Sequence, residues 1–256
     1  MKKVKQNIEA KSFTVLRNQE IVVSDVSTSL KMPSYSPAFL HHLALTLDAE
    51  GLSYLGVEAL EDIMQAVVVC EIQNMQGIIV ETGCALGGSA IGIAAAKSTR
   101  REFRCYDVFD MIPPPSQKDG AEVHIRYAEI ISGKSTGLKG NVYYGYQKKL
   151  LSVVENNFSR YGFPIGDHAV QLIKGLYEDT LHIDVPVVLA HIDCDWYDSV
   201  KLCLERISPH IISRGVMIID DYHYYSGCKQ AVDEFMSLHR EFERIDNKSR
   251  LRLRKW

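Results

Sequence analysis

His191-Ile192-Asp193-Cys194-Asp195-Trp196-Tyr197-Asp198 and the later Ile218-Ile219-Asp220-Asp221-Tyr222-His223 decide how this chain folds. Val187-Val188-Leu189-Ala190 leads into the first, and Val216-Met217-Ile218-Ile219 into the second. Short apolar runs that end abruptly in polar residues read as buried strands. Between them, Ser199 to Ile211 is helix-sized. Strand, helix, strand is the unit of a parallel sheet in an α/β protein. Adjacent parallel strands end on one sheet edge, so Asp193, Asp195, Asp220 and Asp221 are expected to converge there. Carboxylates so close cannot all be anions without a cation or shared protons. Hard oxygen donors of this kind suit Mg²⁺ or a similar ion. The plainer reading of Asp220-Asp221 is a helix cap beside a solvated acid; Asp193 at the neighbouring strand end argues against it. Asp198 is expected to cap the helix from Ser199, His191 to point into the core, and His223, just after the acids, to face the substrate.

Upstream lies a second strand-turn-helix unit, Gly77-Ile78-Ile79-Val80-Glu81-Thr82-Gly83-Cys84-Ala85-Leu86-Gly87-Gly88-Ser89 followed by a helix from Ala90 to Lys97. Gly83 permits a tight turn, and Gly87 and Gly88 allow a ligand or another backbone to come close. Ser89 and the free N–H groups of the helix start can hold an anionic group. The spacing E-x-G-x-x-x-G-x-S differs from the dinucleotide pattern G-x-G-x-x-G, which disfavours a nicotinamide enzyme. Arg104-Cys105-Tyr106-Asp107-Val108-Phe109-Asp110 is expected to be the second strand, with Asp107 placed where an acid can hold ribose hydroxyls. Val170 to Lys174 is the next strand, and Tyr177 after it is either a stacking residue for a base or a core aromatic.

The remainder frames these units. Ser36-Pro37 fits an N-cap with proline at the first helical position, ahead of a helix from Ala38 to Leu47 and a second from Glu58 to Glu71. Phe13-Leu16 and Glu20-Val23 are candidate short strands of an N-terminal arm. A helix is expected over Gln147–Arg160 and another from Ser226, and Glu243-Ile245 with Leu251-Arg254 form a closing strand pair. Lys118 to Tyr144 reads as a mobile substrate-side loop; Gly133-Lys134-Ser135-Thr136-Gly137 lacks the strand and spacing of a phosphate-binding loop. The expected division is an arm with lid helices over 1–76 and a catalytic domain over 77–256.

At 256 residues, with 46% apolar residues and a net charge of -3, the chain can fill a large core and is not built for nucleic acid. Arg250-Leu251-Arg252-Leu253-Arg254-Lys255 is expected to be a solvated edge strand or tail. Neither a signal peptide nor a membrane span is expected. The six cysteines show no paired spacing, which suggests reduced, buried thiols and a cytoplasmic location.

These residues resemble the macrocin O-methyltransferase family. The carriers are Glu81-Thr82-Gly83 with Gly87-Gly88-Ser89; Asp107-Val108-Phe109 running to Pro113-Pro114-Pro115; Asn157 to Gly162; Gly175 with Asp179-Thr180-Leu181; the segment from His191 to Ser199; and Asp220-Asp221-Tyr222 with Gly227-Cys228-Lys229 and Ala231 to Phe235. The resemblance implies a class I methyltransferase fold, Rossmann-like, with a seven-stranded sheet and helices on both faces. It implies S-adenosylmethionine and Mg²⁺ as cofactors and a sugar hydroxyl of a small-molecule glycoside as the methyl acceptor; no nucleic-acid or membrane partner is expected. It places the donor near Glu81, Thr82, Gly83, Cys84, Ser89, Asp107, Asp179 and Asp193, the metal on Asp193, Asp220 and Asp221, and the general base at Asp195. Trp196 departs from the family, which usually has a smaller aliphatic residue there. The final strand also lacks the family's tryptophan-arginine pair. Other acceptors (catechol-like or lipid-linked hydroxyls) and a non-catalytic donor-binding scaffold are the alternatives. The N-terminal arm makes a homo-oligomer an expectation.

Overall fold

The computed structural model describes residues 36–246 and 250–256; the candidate strands at Phe13-Leu16 and Glu20-Val23 lie outside them. Seven strands form one sheet in the order β3-β2-β1-β4-β5-β7-β6. They are β1 (Ile78–Thr82), β2 (Phe103–Asp107), β3 (Val170–Lys174), β4 (Val187–Ile192), β5 (Ile211–Ile219), β6 (Phe242–Asp246) and β7 (Leu251–Lys255). The first five run parallel, and β7 lies antiparallel between β5 and β6.

Side chains alternate across the pleat. On β1, Ile79 faces one core and Ile78 and Val80 the other; on β5, Ile218 faces the first, Met217 and Ile219 the second. The first core is shared with helices α1 (Pro37–Ala49), α2 (Val57–Ile72), α3 (Gly88–Ala96) and α5 (Leu150–Arg160). The second is shared with α7 (Tyr197–Ile207) and α8 (Ser226–Leu238). Short α6 (Tyr177–Thr180) brings Tyr177 against that second core, so Tyr177 is a core aromatic. Ser36 caps α1 as expected, its Oγ accepting from the Phe39 N–H at 3.3 Å. The helices α1 and α2 share their core with α3, so the expected division at residue 76 separates elements that pack together.

Several expectations are corrected. Lys118 to Tyr144 contains a helix, α4 (Ala121–Ile131). Val123, Tyr127, Ile130 and Ile131 stand at helical spacing, and Val123 and Ile130 are its buried residues; the loop reading passed over that stripe. Asp198 is exposed and caps nothing, because α7 begins earlier, at Tyr197. The Tyr197 N–H is instead received by Asp119 Oδ1 at 2.7 Å, from far away in sequence. The terminal basic run is no solvated edge: β7 is bonded on both sides, Leu251 and Leu253 are buried, and Arg252 reaches the Asp62 carbonyl at 3.0 Å. No helix among the described residues is long and apolar enough to cross a membrane.

Candidate active site

Strand order reverses between β1 and β4, and ligands of open parallel sheets bind at such a point, outside the carboxyl ends of the strands. The ladder runs one residue past the strands there. The Asp193 N–H donates to the Thr82 carbonyl at 2.9 Å, the Asp220 N–H to the Ile192 carbonyl at 3.0 Å, and the Gly83 N–H to the Tyr106 carbonyl at 2.9 Å. The donor-side loop and the acidic loops are therefore fixed to one another by backbone.

The glycines of the first loop meet protein. A Cβ on Gly88 would lie 2.5 Å from the Leu52 carbonyl oxygen, and one on Gly87 3.0 Å from Val154 Cγ1. Of the two uses the sequence left open, close approach of other parts of the chain is the one seen. Asp107 is the organiser of this loop. Its Oδ2 accepts from the N–H groups of Cys84 (2.7 Å) and Ala85 (3.2 Å), and its Oδ1 from the Phe109 N–H (2.6 Å). Burial raises the Asp107 pKa, against the pull of those three donors. Ser89 is buried in the first turn of α3. Thr82 Oγ1 is buried with no hydrogen-bond partner among the described residues, which leaves it a donor or acceptor for a ligand. Glu81 is otherwise engaged: its Oε1 faces His191 Nδ1 at 2.9 Å, and its Oε2 accepts from Cys105 Sγ at 3.3 Å. Asp179 is exposed on α6.

The acidic loops converge as the strand reading requires. Carboxylate oxygens of Asp193, Asp195 and Asp221 lie within 4.8 Å of one another. The Asp195 N–H also donates to Asp221 Oδ2 at 3.2 Å. Asp195 adopts φ +59°, a left-handed conformation that turns the chain sharply between β4 and α7. Asp220 sits beside the trio, its Oδ1 held by Arg250 Nε and 3.9 Å from His191 Nε2. Burial and the charges of Asp220 and Asp221 push Asp193 well above the usual carboxylate range. Burial and the neighbouring acids do the same to Asp221. Asp195 is raised to about 7 by burial and Asp220, with Arg126 pulling the other way. Burial would raise Asp220 too, yet His191 and Arg250 hold it below the usual range. Burial alone would depress His191; the acids on either side outweigh it and raise it to about 10. Carboxylates packed this closely with raised pKa values could hold a hard dication.

Aromatic side chains cluster near enough to Asp195 for its charge to act on them. Tyr143 packs on Tyr144 (ring centroids 4.5 Å) and Tyr54 on Tyr144 (5.8 Å); Tyr225 meets Trp196 edge-on at 5.5 Å. Burial and the Asp195 charge push Tyr143 up to about 12 and raise Tyr225 as well. Arg126 of α4 lies over the Tyr143 ring at 5.6 Å. Trp196 Nε1 donates to the Pro113 carbonyl at 2.9 Å, tying the triple-proline loop to the acidic loop. Sequence reading missed Asp119, Arg126 and Arg250. The first two stand in the segment read as a loop, and the third in a basic run that resembles a tail.

The model of the macrocin-O-methyltransferase (TylF) family matches residues 18–251. The chain belongs to that family. Demethyldecarbamoylnovobiocin O-methyltransferase of Streptomyces niveus is 30% identical over 199 residues, covering 73% of this chain and 68% of that protein. A tetracenomycin-C 4'-O-methyltransferase of Streptomyces olivaceus, acting on a dimethoxy-rhamnosyl derivative by its name, is 28% identical over 188 residues, 71% of this chain and 66% of that protein. Among solved structures, the O-methyltransferase NovP superposes with a TM-score of 0.68 at 22% identity, over 86% of this chain and 97% of NovP. The calicheamicin methyltransferase CalS11 gives 0.55 at 15% identity, over 90% and 99%. At those identities the two structures show the shared fold. Family membership makes the chain an O-methyltransferase that uses S-adenosylmethionine.

Proposed function

We propose that the chain transfers a methyl group from S-adenosylmethionine to a hydroxyl of a glycoside or similar polyhydroxylated natural product, with a divalent cation at the acidic cluster. The observation that carries this reading is the set of carboxylate oxygens of Asp193, Asp195 and Asp221 within 4.8 Å of one another, at the switch point and beside the β1 loop. The names of the two Streptomyces relatives, both methylating decorated natural products, support the acceptor class.

The residues present fit both absent groups. Thr82 Oγ1, orphaned at the end of β1, and the Asp107-braced loop after it fit the donor. Asp193 and Asp221, with Asp220 alongside, fit a hard cation. Bound there, the cation would favour the deprotonated form of an acceptor hydroxyl, as it does for water. Asp195 is placed to receive the hydroxyl proton on its carboxylate, and its pKa of about 7 suits a base near neutral pH. The backbone bonds between the Gly83 and Asp193 loops hold the donor side and the acceptor side in fixed register, and such positioning supplies much of the rate of a two-substrate transfer. Tyr143, Tyr144 and Tyr225 lie near enough to feel the Asp195 charge, and aromatic rings of this kind would suit the apolar faces of a sugar. The six cysteines are free and buried, which fits a reducing compartment such as the cytoplasm.

The test is a methyl-transfer assay over a panel of glycosides and simple catechols, with Mg²⁺ and with chelator. Transfer to a glycoside that chelator abolishes and Mg²⁺ restores is expected. Transfer untouched by chelator would remove the cation, and transfer confined to catechols would replace the acceptor class.

A further inference from the structure

Behind the acidic cluster runs a buried row of charged side chains that crosses four strands. The register sets Glu81 of β1 directly opposite His191 of β4, and His191 opposite Ile218 of β5. Glu81 and His191 are both fully buried, with Oε1 and Nδ1 2.9 Å apart. On its other side His191 points Nε2 at Asp220 Oδ1, 3.9 Å away, beyond hydrogen-bond reach; that nitrogen has no hydrogen-bond partner among the described residues. Arg250, entering β7 and itself buried, donates Nε to the same Asp220 oxygen. The row reads Glu81, His191, Asp220, Arg250.

Four ionisable groups in a protein interior are an expensive way to hold strands together, since well-packed apolar residues of similar volume do it as well or better. What such a row supplies is orientation. Arg250 Nε bonds Asp220 Oδ1 and His191 Nε2 faces the same oxygen, so the carboxylate is restrained from behind. Asp220 is joined by one peptide bond to Asp221, whose Oδ2 receives the Asp195 N–H. Fixing Asp220 therefore fixes the base of the whole cluster. Groups that orient metal-binding carboxylates from behind act in this way.

We propose that Arg250, with His191 and Glu81 behind it, is a positioning unit that presets Asp220 and Asp221 for a divalent cation. The inference rests on the cation reading of the cluster. Arg250 does not touch the reacting groups; it acts through Asp220. The row also ends on Glu81, one residue before Thr82, so the same unit ties the cation side to the donor strand.

Calorimetric titration with Mn²⁺ alone, and separately with S-adenosylhomocysteine in chelator, tests it on the full chain. Arg250→Gln is expected to weaken Mn²⁺ binding by about 10–100-fold, the usual cost of losing an orienting group, and to leave S-adenosylhomocysteine affinity unchanged. Arg250→Lys keeps a cation on β7 and is expected to recover part of the loss; it also serves if Arg250→Gln does not fold. Mn²⁺ affinity unchanged in both variants would overturn the proposal. Equal losses of Mn²⁺ and S-adenosylhomocysteine binding, with a lower melting temperature, would also overturn it, by showing a merely structural role. Failure of the wild-type chain to bind Mn²⁺, with and without S-adenosylhomocysteine, would instead remove the cation reading itself, and the positioning unit with it.

Discussion

Gly83 and Asp193 stand back to back: a Cβ on Gly83 would lie 1.6 Å from the Asp193 carbonyl oxygen. The donor-side loop and the acidic loop are thus in backbone contact, and no side chain fits between them. Gly83 also holds φ +91°, a region L residues avoid. Gly83→Ala must displace Asp193, the β1 loop, or both. We expect a loss of more than about 2 kcal/mol of stability, from overpacking and backbone strain together. Loss of S-adenosylhomocysteine binding should accompany it. Gly166→Ala is the control, because nothing lies within 4 Å of a Cβ there. Thermal melts and calorimetry of the two variants check this; a Gly83→Ala protein that melts with the wild type would show that the contact yields cheaply.

Asp107 braces the same loop from the other side with three backbone N–H bonds. Asp107→Asn keeps the shape but turns one acceptor oxygen into a donor that faces N–H groups. Leaving buried donors unmatched costs about 1–3 kcal/mol each. The expected outcome is a lower melting temperature together with weaker S-adenosylhomocysteine binding. Weaker binding at an unchanged melting temperature would mean that Asp107 acts on the donor and does not brace the loop.

The parts of the site visible in the sequence were those set by strand periodicity. Apolar runs ending in Asp193 and Asp220 fix both the parallel sheet and the edge where the acids meet, because parallel neighbours must end together. What stayed hidden depends on contacts distant in sequence. Asp119 caps α7 from another segment, so the local reading gave that role to Asp198. Arg250 looks like any basic residue of a tail until β7 is seen to insert between β5 and β6. The glycines could be read as room for a ligand or for protein, and only the packing of Leu52 and Val154 against them decides.

Trp196 makes two contacts across the site: Nε1 to the Pro113 carbonyl and an edge-on approach to Tyr225. Trp196→Leu removes both and frees the triple-proline loop from the acidic loop. A single hydrogen bond of this kind is worth about 0.5–1.5 kcal/mol, so the fold should survive. We expect a raised acceptor KM with S-adenosylhomocysteine affinity unchanged. A fall in kcat alone would place Trp196 nearer the chemistry than the aromatic cluster.

Asp195→Asn separates the base from its backbone role. Asparagine tolerates the left-handed φ of +59°, so the turn should persist. The amide cannot take the hydroxyl proton. Turnover should fall by about 10²–10⁴-fold, the usual contribution of a general base. S-adenosylhomocysteine binding should remain. Full turnover by this variant would remove Asp195 as the base.

The cation-free protein should lose stability as pH rises from about 4 towards 7, by linkage at the acidic cluster. The unfolded chain releases the Asp195 proton near the ordinary carboxylate pKa of about 4, whereas the folded chain keeps it to about 7. Across that window the folded state holds more protons, so Asp195 alone contributes a downward slope of about 1.4 kcal/mol per pH unit. Asp193 and Asp221, also raised by burial and mutual repulsion, push the same way. A bound dication replaces the protons, so its stabilising effect must grow with pH. Melting curves in chelator and in Mg²⁺ at pH 5.5 and pH 8 should therefore differ little at the lower pH and clearly at the higher. Asp221→Asn should flatten the chelator curve by removing one of the repelling charges. An Mg²⁺ shift of the same size at both pH values would mean that the ion binds elsewhere.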